Sequence, residues 1–81
     1  MKTGSLVRRN MNYESYGLDP GDPRDFGVPD YTDAEDFVGW ERDDVGIVLE
    51  KFKTFDGTAW VRILVPGGAG YCHLDEVDEV R

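Results

Sequence analysis

Short runs of apolar residues, broken by charges and turn residues, fill the second half of the chain and recur once near its start. Ser5 to Arg9 predicts a first strand, Val45 to Thr54 a second and Thr58 to Val65 a third. Gly70 to His73 begins a fourth, and Val77 to Val80 predicts a fifth. Asp56-Gly57 separates the second strand from the third and suits a type I′ hairpin turn. Pro66 to Gly70 reads as a flexible turn between the third and fourth. Leu74, Val77 and Val80 stand three apart, which predicts a 3₁₀ turn leading into the last strand.

A two-residue or four-residue turn at Asp56-Gly57 fixes one register for the hairpin. Phe52 then faces Val61, Glu50 faces Ile63 and Val48 faces Val65. On the other face Leu49 meets Leu64, Lys51 meets Arg62 and Lys53 meets Trp60. Two like charges placed directly opposite destabilise a sheet. That face also carries Ile47, so it holds more apolar surface than a bare solvent face should. A cover is therefore expected: either an acidic, aromatic segment of the same chain or a partner protein.

Asn10 to Asp44 is the segment available for that role. It holds 11 acids against 2 bases, whereas the rest of the chain holds 6 acids against 7 bases. It contains Pro20, Pro23 and Pro29 and shows no helical or alternating period before about Glu35. It reads as a long loop inserted after the first strand, with one helical turn expected over Thr32 to Asp36. Disordered tracts are poor in aromatics. This one carries Tyr13, Tyr16, Phe26, Tyr31, Phe37 and Trp40, rings expected to pack on the barrel or on a partner.

Composition narrows the function classes. The chain has 81 residues and a formal net charge of -8. A domain of this length buries only about 60% of its unfolded surface, so added support from a partner is expected. The acidic balance argues against direct nucleic-acid binding, which needs a basic stripe, and against an anionic membrane. Cys72 is the single cysteine, so no internal disulfide forms, which suits a reducing compartment. The residues Met1 to Asn10 do not form a signal peptide, and the longest apolar run is far below the roughly 20 residues of a membrane helix.

No catalytic constellation is legible. Cys72 and His73 are strand neighbours whose side chains point to opposite faces, so they do not pair as nucleophile and base. Ser5 and Ser15 sit in no nucleophile elbow. Gly67 to Gly70 joins two strands rather than entering a helix and lacks the lysine of a phosphate loop. One histidine supplies no zinc spacing. The acids from Asp19 to Asp36 lack the order of an EF-hand loop and read as a solvated or partner-facing run. Asp75, Glu76, Asp78 and Glu79 form a second acidic patch, read as a solvated face. No enzyme activity, cofactor or metal is expected, and no small-molecule substrate.

The sequence from Gly46-Ile47-Val48-Leu49-Glu50 through Asp56-Gly57, Trp60-Val61-Arg62 and Gly70-Tyr71 resembles the core of SH3 domains. Gly4-Ser5-Leu6-Val7-Arg8 resembles the opening strand of bacterial and phage SH3-like barrels. The resemblance extends to small SH3-like proteins of tailed phages and covers roughly half the chain. It implies a single all-β domain over residues 1–81, a small SH3-like barrel of about five strands. Its parts are a strand at 5–9, an acidic, aromatic-bearing insertion at 10–44 and a barrel core at 45–80. His73 and Glu76 stand where eukaryotic SH3 domains carry the proline and tyrosine of the polyproline groove. The expected function is non-enzymatic protein binding or a structural role, as a phage virion component or accessory protein in the virion or host cytoplasm. Tyr13, Tyr16, Phe26, Tyr31, Trp40 and Trp60 are the expected anchors, with Asp30, Asp33 and Asp36 steering a basic partner. Two alternatives are an acidic DNA-mimic inhibitor of a host nucleic-acid-binding protein and a weak calcium-binding module.

Overall fold

The computed structural model describes residues 1–11, 17–24 and 37–80. These residues form an all-β structure. Five antiparallel strands make the main sheet: β1 (Leu6–Arg9), β4 (Gly46–Lys53), β5 (Ala59–Val65), β6 (Gly68–His73) and β7 (Val77–Glu79), in the order β6-β5-β4-β1-β7. Two short strands, β2 (Gly17–Leu18) and β3 (Val38–Gly39), pair with each other. A 3₁₀ turn, Leu74–Glu76, precedes β7 where the three-residue spacing predicts it.

The hairpin of β4 and β5 departs from the expected register. Lys51 lies opposite Val61, Phe52 opposite Trp60 and Glu50 opposite Arg62. The connection is therefore odd in length. Thr54 and Thr58 close it, with the Thr54 amide donating to the Thr58 carbonyl at 2.9 Å. Asp56 decides this. Its carboxylate accepts the Thr54 hydroxyl at 2.6 Å and the Thr58 amide at 3.1 Å, which folds three residues into the loop. Gly57 takes a φ of +87°, the left-handed conformation that a three-residue hairpin requires there. The register slips again between Val48 and Glu50, so that Ile47 meets Leu64 and Val48 meets Ile63. Extra residues of this kind bend a strand and increase its twist. The expected clash of Lys51 with Arg62 does not arise: Glu50 faces Arg62, an attractive pair.

The run from Pro66 to Gly70 is not one flexible turn. The turn is confined to Pro66 and Gly67, and Gly68, Ala69 and Gly70 are already paired in β6. The glycines here admit close backbone neighbours. A Cβ on Gly70 would stand 2.5 Å from the Leu18 Cβ, and one on Gly67 would stand 2.8 Å from the Gly39 carbonyl oxygen. Leu18 and Gly39 thus press onto the β5–β6 hairpin.

The core sits between those two layers. Val48, Val61, Ile63 and Val65 point inward from the main sheet, joined by Val7, Cys72 and Val77. Residues 10–44 supply two more of the largest buried side chains, Leu18 and Trp40. The described part of that segment is accordingly a core-forming element as well as a connection. Asp19 exchanges both backbone hydrogen bonds with Tyr71 at 2.9 and 2.8 Å, attaching β2 to the edge of β6. The Trp40 indole N–H donates to the Asp44 carbonyl at 3.0 Å, and the Trp40 carbonyl accepts from Arg9 at 2.9 Å. Burying a ring of this size removes a large apolar area from water, while its polar atom keeps a partner.

Candidate functional site

An open cleft of about 450 Å³ lies between Pro23-Arg24 and the β4–β5 loop. Lys53, Thr54, Phe55, Asp56 and Trp60 complete its lining. Three local causes build it. First, the three-residue loop pushes Phe55 out at its tip, where the ring is fully exposed. Second, Trp60 opens β5 and is held from both sides. Its indole N–H donates to the Thr54 hydroxyl at 3.2 Å, and the His73 ring meets it edge-on at 4.3 Å. Third, Arg24 forms the opposite wall.

Arg24 is fixed by a charged clasp. Its guanidinium donates to Asp22 at 2.7 and 2.9 Å and to Glu50 on β4 at 2.7 and 3.1 Å. It also lies over the Phe52 ring, 4.0 Å from the ring centre. Tyr71 reaches the same group by donating its hydroxyl to Asp22 at 3.3 Å and by an edge contact with Phe52 at 6.0 Å. The Arg24 hydrogen bond holds the Asp22 carboxyl at about 2, well below the ordinary carboxylate range. The same pair, with Glu50, raises the Arg24 guanidinium above its ordinary value. The polarity is the reverse of the expected one. A cation from the inserted segment meets a sheet carboxylate, and among the described residues no ion pair joins an acid of that segment to Lys51 or Arg62. Lys51 instead donates to the Met1 carbonyl at 2.9 Å.

The cleft therefore has an apolar floor and a mixed rim. The charged side chains of the lining are Arg24, Lys53 and Asp56, with Asp22 and Glu50 engaged by Arg24. The Thr54 and Thr58 hydrogen bonds lower the Asp56 carboxyl below its ordinary value and keep it ionised. The Trp60 face and the projecting Phe55 suit an extended chain carrying apolar side chains, and the net charge of -8 over the whole chain favours cationic ones.

Of the expected anchors, Trp60 sits at this cleft, while Trp40 is buried in the core. Tyr13, Tyr16, Phe26, Tyr31, Asp30, Asp33 and Asp36 lie outside the described residues, as does the helical turn expected over Thr32 to Asp36. Phe55, Pro23 and Arg24 were not among the expected residues. Phe55 was legible: a phenylalanine beside Asp-Gly in a turn has no core to enter. The clasp of Asp22, Arg24 and Glu50 was not, because it joins positions 26 residues apart.

Cys72 and His73 point to opposite sides of β6, the thiol buried and the imidazole exposed. Burial, with smaller contributions from Glu76, Asp19 and Asp75, pushes the Cys72 thiol well above its ordinary value, which makes it a poor nucleophile. The 3₁₀ turn does bring His73, Asp75 and Glu76 together, with one ligand atom from each within 4.8 Å of the others. The Glu76 carboxylate is already engaged by the His73 amide at 2.9 Å. No family model, curated protein or solved structure matches the chain.

Proposed function

We propose that the protein is a non-enzymatic protein-binding module that holds an extended segment of a partner in the Trp60 cleft. The observation that carries this reading is the cleft itself. A tryptophan held by Thr54 and His73 and a fully exposed Phe55 line it together with Arg24, which is braced by hydrogen bonds to Asp22 and Glu50. Pre-set aromatic surfaces lower the ordering cost of binding. The overall acidity steers a basic partner towards the molecule.

The same reading takes the fold as an SH3-like barrel. The strand order, the 3₁₀ turn before the last strand and the register shift within β4 support it. In that reading the cleft lies between the inserted segment and the β4–β5 loop. The resemblance to small phage SH3-like proteins supports a role as a virion component or accessory protein.

Titration of isotope-labelled protein with extended peptides that alternate apolar and arginine residues tests the site. The expected result is shifts concentrated at the Trp60 indole N–H, Phe55 and Arg24, with Phe55→Ala weakening binding about tenfold. Shifts that avoid these residues, or their complete absence with cationic peptides, would overturn the reading.

A further inference from the structure

The 3₁₀ turn between β6 and β7 gathers donors of two kinds, an imidazole and two carboxylates. His73 stands at the N-terminal cap of the turn, and Asp75 and Glu76 lie within it. Residues three apart eclipse one another in a 3₁₀ turn, which brings Glu76 beneath His73. One ligand atom each from His73, Asp75 and Glu76 then falls within 4.8 Å of the others. The His73 Nδ1 stands 3.7 Å from the Glu76 Oε1. That is too long for a hydrogen bond. It is close to the roughly 3.4 Å between two ligands of a tetrahedral ion bound at about 2.1 Å. Three donors within four consecutive residues match no zinc-finger spacing, and it is the turn that makes them converge.

The backbone beneath these donors is already fixed. Asn10 donates its main-chain N–H to the Glu76 carbonyl at 2.9 Å and its side-chain amide to the Asp75 carbonyl at 2.8 Å. The His73 amide donates to the Glu76 carboxylate at 2.9 Å, which orients that group and leaves it a second oxygen. The His73 ring rests edge-on against Trp60, with 4.3 Å between ring centres. Donors held in this way give up little freedom on binding. Beside His73 and Asp75 an open hollow of about 420 Å³ leaves room for water in the remaining coordination positions. The local field is negative as well, since Asp19, Asp75 and Glu76 all act on the adjacent Cys72 in the same direction. Cys72 itself is buried on the other side of β6 and takes no part.

We infer that His73, Asp75 and Glu76 form a surface site for a divalent ion of the zinc class, the protein supplying three ligands and solvent the rest. The donor set chooses the ion. One imidazole nitrogen with two carboxylates suits zinc, nickel or cobalt. Calcium and magnesium are hard cations that favour oxygen donors, calcium about six to eight of them, and this turn does not supply that set. Phe55 and Arg24 are not involved, so the site stands or falls independently of peptide binding at the Trp60 cleft.

The chain has one histidine, so its imidazole nitrogens are read without overlap. Zinc chloride, titrated to about 1 mM into the untagged, isotope-labelled full chain, tests the inference. The expected result is a saturable shift of one imidazole nitrogen, with amide shifts centred on residues 73–76. Glu76→Gln keeps an acceptor for the His73 amide, and Asp75→Asn alters an exposed side chain, so both variants retain the wild-type circular dichroism. Each is expected to weaken zinc binding by more than about tenfold. Calcium or magnesium at the same concentration leaves the imidazole unmoved. An imidazole that zinc does not shift by about 1 mM would overturn the inference. Undiminished zinc affinity in either variant would overturn it as well, because the histidine then binds without that carboxylate. An equal response to calcium would do the same, as the mark of an acidic surface without a chosen ion.

Discussion

Single residues in this protein are set by what surrounds them more than by their type. Trp40 and Trp60 have the same side chain, yet one is 2% exposed inside the core and the other lines a cleft. Trp40→Ala is expected to cost about 3–5 kcal/mol, read as a lowered denaturant midpoint. Cys72 follows the same logic. Its buried thiol should react with a disulfide reagent only as fast as the protein opens, so labelling should track unfolding rather than pH near neutrality. An immediate reaction in native buffer would contradict that burial. Asp22 supplies a pH prediction. Its folded carboxyl titrates at about 2, below the unfolded value of about 3.9. Its stabilising contribution is therefore present above about pH 4 and is lost as pH falls towards 2. Carbon-detected titration of that carboxyl checks the shift, and Arg24→Gln should return it towards the ordinary value.

At the scale of elements, the β4–β5 hairpin shows how one side chain overrides a sequence rule. Asp-Gly predicts a two-residue turn, but Asp56 captures both Thr54 and Thr58 and makes the loop odd. One residue of slip exchanges the partners along the ladder, which removes the Lys51–Arg62 repulsion. Gly57 is the hinge of this choice. Gly57→Ala is expected to destabilise by about 1 kcal/mol, because alanine resists a positive φ. The β5–β6 hairpin is constrained differently, by close approach. Gly70→Ala pushes against Leu18 and the Asp19 carbonyl and should cost about 1–3 kcal/mol, with loss of amide protection at Asp19 and Tyr71.

For the whole molecule, the described parts of residues 10–44 join two halves that a shorter connection would leave apart. Leu18 and Trp40 enter the core, while Asp22 and Arg24 cross the outer face to Glu50 and Tyr71. An 81-residue chain has little apolar surface to spare, so an inserted segment that contributes core is a physical economy. The Trp60 cleft lies at the start of β5, and the exposed Leu6–Ile47–Leu64 row crosses the sheet near its end.

The sequence by itself determined the all-β class, the places of the five main strands to within about two residues and the 3₁₀ turn before the last. Those features rest on local periodicity and turn chemistry, which neighbouring residues carry. It also placed Cys72 and His73 on opposite faces, since strand alternation is a local property. Tertiary structure alone decided the register of the central hairpin, the register shift within β4, the burial of Trp40 and the clasp of Arg24. Each of these depends on contacts between distant positions or on competition between a turn's backbone preference and a side-chain hydrogen bond, and neither is written in the spacing of apolar residues.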